Sequence, residues 1–399
     1  MRVARLRHTE NRSFAVLSVL IALFCLATTS TTLAGPREQA KRLHDRLAGV
    51  PPAPMVLDSM ATKIEGGDAL GAAYDAMNNP AFYNTTVREL AAPWTNRDRS
   101  VYVDLNDTIA TVIGIIRDDL PFDQVLYEDI IYIGSNNATA IPYSQTDNDH
   151  YLDLQLNRVD LSDTANLVQR RQSELPAAAL GTNQAAGIIT TRGFAEAFLV
   201  AGTNRAAVRF AALNHLCLDM EDFRDLTAHP DRIRQDVTRS PGGDSNIFLT
   251  DCLTCHTGLD GLAGGFAYYD FDEDLQQLVY TDSAVQPKFV NDAGTFPFGF
   301  VTTDDSWINY WRTGPNAFVG WNAPGNGAGS GAKSLGMELA QTQQFAKCQV
   351  KNVFEKVCYR APNGPADLQA VEDIATIFVA NNRSMKRVFA ETAMYCMGN

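Results

Sequence analysis

The sequence predicts a mainly α-helical fold, and three features of its pattern indicate this class. Apolar residues recur at intervals of three and four over long stretches, as between Leu368 and Phe378, which is the spacing of one helix face. Clusters of Pro, Gly and Asn separate these stretches. Only Phe266–Phe271 and Leu278–Thr281 have the composition of short strands.

The chain begins with the organisation of a secretory signal peptide, which we assign to residues 1–34. Four Arg side chains precede an apolar run from Phe14 to Ala27, and Thr32-Leu33-Ala34 offers small residues for cleavage. A membrane anchor is the alternative, but the run has about 14 residues and a span needs ~20. We therefore predict export to the periplasm.

Charge and hydropathy limit the partners of the mature chain. The whole sequence carries −13 at pH 7, and the signal peptide contains four Arg and one Glu, so residues 35–399 carry −16. This charge disfavours nucleic acid and anionic membranes as partners, and it fits docking on a basic surface or simple solubility. No later apolar run reaches ~18 residues, so we expect no membrane insertion of the mature chain.

The mature chain is long enough for two domains, and we divide it after residue 184. Residues 35–184 are predicted to form a helical N-terminal region of unknown role. Its predicted helices are Arg37–Leu47, Gly66–Met77, a helix opened by Pro80, a helix capped by Asp107, and a helix begun by Pro121-Phe122-Asp123 that includes VLYEDIIYIG. Residues 134–152 are polar and are predicted to form a loop.

Residues 185–399 form the second predicted domain, in which helices flank a less regular centre. Gly193–Leu199 and Asn204–Leu218 have helical patterns, residues 230–245 are a polar linker, and residues 280–333 are rich in Gly and aromatic residues. The helical period returns from Leu335 and indicates three further helices towards the C-terminus.

The stretch DCLTCHT contains the one strong chemical motif of the chain, Cys252, Cys255 and His256. On a helix, residues three and four apart lie on one face. Two sulfurs on that face can bond to two vinyl groups of one haem, and the imidazole of the next residue can reach the iron. We therefore predict one covalent haem c, with His256 as the proximal ligand.

Coincidence, a redox site, a zinc site and a disulfide each account less well for this motif. From the composition, chance would produce about 0.002 such motifs in the chain. A thioredoxin-like site needs a βαβ setting, and a zinc site needs a second Cys or His pair; the pattern indicates neither. A disulfide between Cys252 and Cys255 would leave His256 unexplained.

The second iron ligand is left open by the sequence, and it matters because a Met ligand suits electron transfer. Met337 is the preferred distal candidate, since it follows the Gly-rich loop 324–331 at the start of a helix. Met220 and Met394 are the other Met candidates. His215 is a further candidate, although core or surface histidines are commoner than ligands.

Three other groups of residues allow two interpretations each. Arg312 either pairs with a haem propionate or forms a surface salt bridge. The acidic residues from Asp270 to Asp274 lack the spacing of an EF-hand, which favours a solvated turn over a calcium site. Six aromatic residues either surround the haem or pack the core: Trp307, Trp311, Trp321, Tyr268, Tyr269 and Tyr310.

Four cysteines remain as disulfide candidates in the mature chain. Cys348 and Cys358 lie on one predicted helix, about 15 Å apart along its axis, whereas a disulfide tolerates at most ~7 Å between Cα atoms. Two pairings remain. Because Cys358 and Cys396 both end predicted helices, we favour Cys358–Cys396 together with Cys217–Cys348.

Residues 185–399 resemble the cytochrome-c-like modules of a large, mostly uncharacterised group of exported bacterial haem proteins. The resemblance rests on AAGIITTRGFAEAFLVAGTNRAAVRFAALNHLC, then CLTCHTGLDGLAGGFAYYDFD, then FAKCQVKNVFEKVC. It implies a helical haem domain that binds haem and transfers electrons. Such modules often have Met-Asp-Pro after the haem motif, but this chain has Leu259-Asp260-Gly261, so no Met is available there.

Three functions are compatible with these observations. The first is an exported monohaem c-type cytochrome that passes single electrons. The second is a haem-dependent, peroxidase-like oxidoreductase with an open distal site, and the third is a binding module with structural haem. A simple electron carrier needs only ~100 residues, so the remainder of the mature chain indicates a further role such as partner docking or substrate capture.

Overall fold

The computed structural model describes residues 34–176, 179–200, 202–234, 246, 248–289 and 298–398. The predicted signal peptide, residues 1–34, lies outside this part of the chain except for Ala34, as does most of the polar linker 230–245. The fold is mainly α-helical, which confirms the predicted class.

The α-helices are numbered here in chain order. They are α1 (Pro36–Ala48), α2 (Pro54–Glu65), α3 (Ala69–Met77), α4 (Arg88–Ala91), α5 (Asp107–Arg117), α6 (Asp149–Leu156), α7 (Arg192–Phe198), α8 (Arg205–His215), α9 (Leu253–Ala263), α10 (Gly331–Ala340), α11 (Gln343–Cys358), α12 (Gly364–Ala380) and α13 (Met385–Cys396). Two π-helical segments, Phe82–Val87 and Phe248–Cys252, precede α4 and α9.

Short 3₁₀ turns connect many of these helices. They are Ala92–Thr95, Phe122–Leu126, Gln172–Glu174, Gly187–Thr190, Met220–Phe223, Pro230–Arg232, Gly264–Phe266, Pro287–Phe289, Tyr310–Arg312 and Gly314–Val319.

In the described part of the chain, the strands form three antiparallel pairs. β1 (Ile131–Gly134) pairs with β2 (Leu167–Arg170), β3 (Tyr269–Asp272) with β4 (Gln277–Tyr280), and β5 (Ser306–Ile308) with β6 (Ala328–Ser330). In the second pair Tyr269 lies opposite Tyr280, and Asp272 lies opposite Gln277. This hairpin coincides closely with the two segments whose composition predicted strands.

Local signals position the N-terminal helices. Pro36 and Pro54 each open a helix, where a missing N–H costs nothing. Gly49 ends α1 in the left-handed conformation, at φ 70°. The carboxylate of Asp68 accepts a 2.8 Å hydrogen bond from the Gly71 N–H and so caps α3. Helices α1, α2 and α3 pack on one another, and α13 packs on α1 and α3.

The segment VLYEDIIYIG is not a helix, and the prediction of one was wrong. Phe122–Leu126 forms a single 3₁₀ turn, and Ile131–Gly134 then forms strand β1. The strand lies against α5, where the ring of Tyr132 occupies the space that a side chain on Gly114 would need. Isoleucines and a tyrosine buried on both faces of a strand give a continuous apolar run, which periodicity alone does not distinguish from a buried helix.

One apolar core runs through both predicted domains. It extends from Ala40 in α1 to Ala393 in α13. Helix α1 also contacts the C-terminal part of the chain, since the Gln39 side chain donates to the Gly398 carbonyl and Arg46 donates to the Val357 carbonyl, at 3.0 and 2.7 Å. The domain boundary after residue 184 stays a prediction.

Among the described residues there are two disulfides, Cys217–Cys348 and Cys358–Cys396, which is the favoured pairing. Their Cα atoms lie 5.2 and 5.6 Å apart, within the range of ordinary disulfides. The first bond joins the chain just after α8 to α11, and the second joins the C-terminal ends of α11 and α13. These four cysteines therefore belong to the framework of the fold.

Candidate haem-binding site

The two cysteines of the CxxCH motif lie where the π-helical segment Phe248–Cys252 passes into α9. Neither Cys252 nor Cys255 forms a disulfide, and both are partly buried. Cys252 and Leu253 pack against a small apolar cluster of Ile233 and Phe248. The start of α9 is therefore held against the fold while both thiols keep part of their surface exposed.

The two thiols have different surroundings: the Cys252 thiol is kept protonated, and the Cys255 thiol donates a hydrogen bond. Partial burial, and then the negative charge of Asp251, raise the pKa of the Cys252 thiol, so it is a neutral thiol at neutral pH. The Cys255 thiol donates to the backbone carbonyl of Met220, with 3.3 Å between sulfur and oxygen. The Cys252 thiol therefore lacks the electropositive setting of a reactive redox cysteine.

His256 lies on the same turn as Cys255, as the spacing predicts. Its side chain is 22% exposed, and its Nδ1 atom lies 3.1 Å from Oδ1 of Asp260, one helical turn later. Its ring packs edge-on against Phe248, with 5.4 Å between the ring centres. These two contacts fix one ring nitrogen of His256 and one side of the ring.

Asp260 is fully buried and is the centre of a polar network. Its Oδ1 accepts from Arg205 Nε at 2.6 Å, and its Oδ2 accepts from Arg205 Nη2 at 2.9 Å and from the Arg234 backbone N–H at 3.1 Å. Burial alone would raise the pKa of Asp260, but Arg205 and His256 outweigh it and hold the pKa well below its usual range. The carboxyl group is therefore ionised.

Aromatic packing supports α9 on another side. A side chain on Gly258 would meet Trp311, with 2.0 Å between the added carbon and Nε1 of the indole. Trp311 in turn stacks on Phe223, with 4.1 Å between ring centres and 14° between ring planes. Gly258 thus allows the helix of the motif to lie directly on this aromatic pair.

The described residues fit haem c at this position. Two unpaired thiols lie three residues apart at the start of a helix, and a partly exposed imidazole follows. A buried carboxylate lies beside the Nδ1 atom of that imidazole, which is the usual outer partner of a metal-binding histidine. Asp260 was not predicted in this role, although its spacing of four from His256 is visible in the sequence.

Searches against protein-family models, characterised proteins and solved structures found no match to this chain. Within the described residues, no three His, Cys, Asp or Glu side chains are grouped so that they could hold a metal ion. None of the helices described there is long and apolar enough to cross a membrane.

Met337 lies partly buried on α10, where Leu335 packs on Gly265 and Gly336 packs on the Leu126 carbonyl. Gly265 follows His256 by nine residues along α9 and the turn after it, which is about 14 Å at 1.5 Å per residue. Met337 as distal ligand stays a prediction.

The other methionine candidates differ in their distance from the motif. Met220 is the one whose backbone contacts a motif cysteine, through its carbonyl and the Cys255 thiol, and its own residue is buried. Met394 lies partly buried on α13, among the C-terminal helices. Of these two, the structure brings only Met220 to the motif.

His215 lies at the end of α8 in the apolar core. Its ring contacts Trp94, with 4.9 Å between ring centres, and stacks near Phe345 at 6.5 Å. Burial lowers the pKa of His215 to about 3, and its Nδ1 atom has no hydrogen-bond partner within the described part of the chain. The structure therefore gives His215 the role of a neutral core residue.

Arg312 forms an internal ion pair. Its guanidinium binds both carboxylate oxygens of Glu338, whose side chain is 2% exposed, at 2.8 and 2.5 Å. Asn309 donates to the same carboxylate at 2.7 Å. Neither interpretation from the sequence anticipated a buried partner for Arg312.

The six aromatic residues and the acidic turn have structural partners. Trp311 is buried, and Trp321 donates to the Trp311 carbonyl at 2.8 Å. Tyr269 is buried as well and donates to the Gln184 carbonyl at 2.7 Å. In the turn between β3 and β4, Asp272 accepts from two backbone N–H groups, at 2.9 Å each. The other three aromatic side chains also make contacts inside the protein: Trp307 with Ser334, Tyr268 with Tyr280, and Tyr310 with Asp231.

Proposed function

We propose that this chain is an exported monohaem c-type cytochrome that transfers single electrons. The observation that supports it best is the combination of two unpaired thiols, Cys252 and Cys255, with His256 held through Nδ1 by a buried carboxylate. The acidic mature chain is compatible with a soluble carrier that docks on a basic redox partner in the periplasm.

In this proposal, each residue of the motif has a separate task. Cys252 and Cys255 would hold the haem through thioether bonds, formed by addition of each S–H across a vinyl group, which needs no oxidant. His256 would bind the iron through Nε2. The haem supplies the one-electron chemistry, and the protein sets its reduction potential through ligands, burial and nearby charge.

A second candidate function is a haem-dependent oxidoreductase with an open distal site. It is favoured by the positions of two distal candidates, because Met337 lies towards the far end of the motif helix and His215 lies in the core. Such a site would admit a small ligand or peroxide at the iron. The fold around α1 to α6 would then offer surface for a substrate.

Haem attachment is tested first. The full-length protein, with its signal peptide, is produced in a host that attaches haem c and is then denatured and analysed for haem on a gel and by mass spectrometry. Wild-type protein should retain one haem, Cys252→Ala/Cys255→Ala should retain none, and Cys358→Ser/Cys396→Ser should retain it. Wild-type protein without covalent haem would refute the proposal.

The distal ligand is tested by absorption and magnetic-circular-dichroism spectra of the haem protein. A low-spin Met/His spectrum that is lost in Met337→Ala supports electron transfer with that ligand. A high-spin spectrum that shifts when cyanide is added favours the oxidoreductase instead. An unchanged low-spin spectrum excludes Met337 alone, and Met220→Ala is then the next variant to measure.

A further inference from the structure

We propose that Asp260, anchored by Arg205, is a positioning residue that holds the His256 ring in the tautomer with its proton on Nδ1, so that Nε2 is available to the haem iron. The inference rests on the proposed function for the identity of the metal group. It adds to that function a residue that controls the proximal ligand and hence the reduction potential.

The hydrogen bonds around Asp260 decide which atom carries the proton. An ionised carboxylate accepts hydrogen bonds and donates none. Oδ1 of Asp260 accepts from Arg205 Nε and lies 3.1 Å from His256 Nδ1. Because this carboxylate already accepts from Arg205 and the Arg234 N–H, the nitrogen donates in this contact, which places a hydrogen on Nδ1 and turns Nε2 towards the other side of the ring.

The carboxylate of Asp260 receives more hydrogen bonds than a side chain in the middle of a helix needs to keep the helix folded. Its carboxylate is fully buried and is bound by groups from two other parts of the chain, the Arg205 side chain at the start of α8 and the Arg234 backbone. It lies in the interior of α9, and not at an end of the helix where a carboxylate would cap exposed N–H groups. The network thus holds one oxygen in place towards His256.

A carboxylate behind a metal-binding histidine has two effects. It fixes the ring orientation, and it raises the basicity of the nitrogen that binds the metal. A more basic proximal nitrogen stabilises the oxidised iron, so the carboxylate lowers the reduction potential of the haem. In Asp260→Asn the charge is removed and the side-chain size is kept, so the potential should become more positive.

The first experiment measures the tautomer without any substitution. Full-length protein labelled with ¹⁵N-histidine is exported by a host that lacks haem c attachment, and long-range ¹H–¹⁵N spectra identify the protonated nitrogen of His256, assigned with His256→Gln. We expect the proton on Nδ1 and a shift of that nitrogen in Asp260→Asn. A proton on Nε2 in wild-type protein would overturn the proposal.

The second experiment measures the reduction potential of the haem protein. We expect a more positive potential in Asp260→Asn and a smaller change in the same direction in Arg205→Lys, which retains the charge and loses the two-point contact. Asp367→Asn, a change in another Arg-bound carboxylate far from the motif, should leave the potential unchanged. A potential equal to wild type in Asp260→Asn also overturns the proposal.

The two proposals fail in different ways. If wild-type protein attaches no haem, the proposed function fails, and the tautomer of His256 still tests the role of Asp260. If haem is attached but the tautomer or the potential contradicts the expectation, the function stands and the role of Asp260 is withdrawn.

Discussion

His256 and Asp260 lie one turn apart on the same helix, with 3.1 Å between Nδ1 of the imidazole and Oδ1 of the carboxylate. The carboxylate is buried, whereas the imidazole is 22% exposed, so the contact connects the interior to a partly exposed ring. The Cys255 thiol donates to the Met220 carbonyl, and both thiols keep accessible surface. This division suits a motif in which the ring must be oriented in advance and the sulfurs must react.

The contact of Gly258 with Trp311 predicts a large effect of a small substitution. In Gly258→Ala the added methyl group would collide with the indole, which is stacked on Phe223, and the helix or the ring must move. We expect a loss of about 1–3 kcal/mol in the free energy of unfolding, measured by urea denaturation. Gly66→Ala is the control, because its nearest atom is 3.4 Å from the new carbon. Equal losses in both variants would contradict the prediction.

The sequence predicted those parts of the fold that depend on local pattern. The C-terminal helices followed from apolar spacing, and the cysteine motif followed from its residue types. Helix α2 was missed although Leu57, Met60, Ala61 and Ile64 have the spacing of one helix face; Met60 is buried, and the other three pack partly buried against the core. Arg205 was also missed, since it reaches Asp260 from 55 residues earlier in the chain and only tertiary packing brings them together.

The contacts of Asp367, close to the Cys358–Cys396 disulfide, predict that the free energy of unfolding falls in acid. Arg360, the Asn363 N–H and the Tyr395 hydroxyl all donate to its carboxylate and lower its pKa below the usual range. The stabilisation is therefore complete above the unfolded pKa of about 3.9 and is lost as the pH falls towards the lower folded value.

Urea denaturation at pH 7, 5 and 3 tests this prediction. Wild-type protein should exceed Asp367→Asn in stability at pH 7 and 5, and the difference should shrink at pH 3. The control is Glu89→Gln, which removes an exposed ion pair with Lys356 and should change little at any pH. A difference that is constant from pH 7 to 3 would count against the assignment.

The burial of His215 predicts a second dependence of stability on pH, in a higher pH range. The folded protein holds this ring neutral down to about pH 3, because burial lowers its pKa to about 3, whereas the ring titrates near 6.5 in the unfolded chain. The unfolded state thus binds more protons below pH 6.5, so stability falls as the pH is lowered, by at most about 1.4 kcal/mol per unit.

Substitutions distinguish the contribution of His215 to the pH dependence of stability from that of other histidines. His215→Phe should show a shallower loss of stability between pH 6.5 and 5 than wild-type protein, measured by urea denaturation. His229→Gln alters a histidine whose side chain is 76% exposed and should retain the wild-type slope. The assignment of His215 to the core is wrong if its replacement leaves the slope unchanged.

The two disulfides predict different losses of stability when each is removed. Cys217–Cys348 closes a separation of 131 residues and Cys358–Cys396 one of 38. In the chain-entropy account, such loops restrict the unfolded chain by about 5 and about 4 kcal/mol respectively. Cys217→Ser/Cys348→Ser should therefore lower the free energy of unfolding at least as much as Cys358→Ser/Cys396→Ser, in urea titrations of oxidised protein.

Because the larger loop contains the cysteine motif, removal of Cys217–Cys348 should also reduce the yield of attached haem more than removal of Cys358–Cys396. A larger loss of stability in the second variant would show that the account fails here, and equal haem yields would show that α9 is positioned without the Cys217–Cys348 bond.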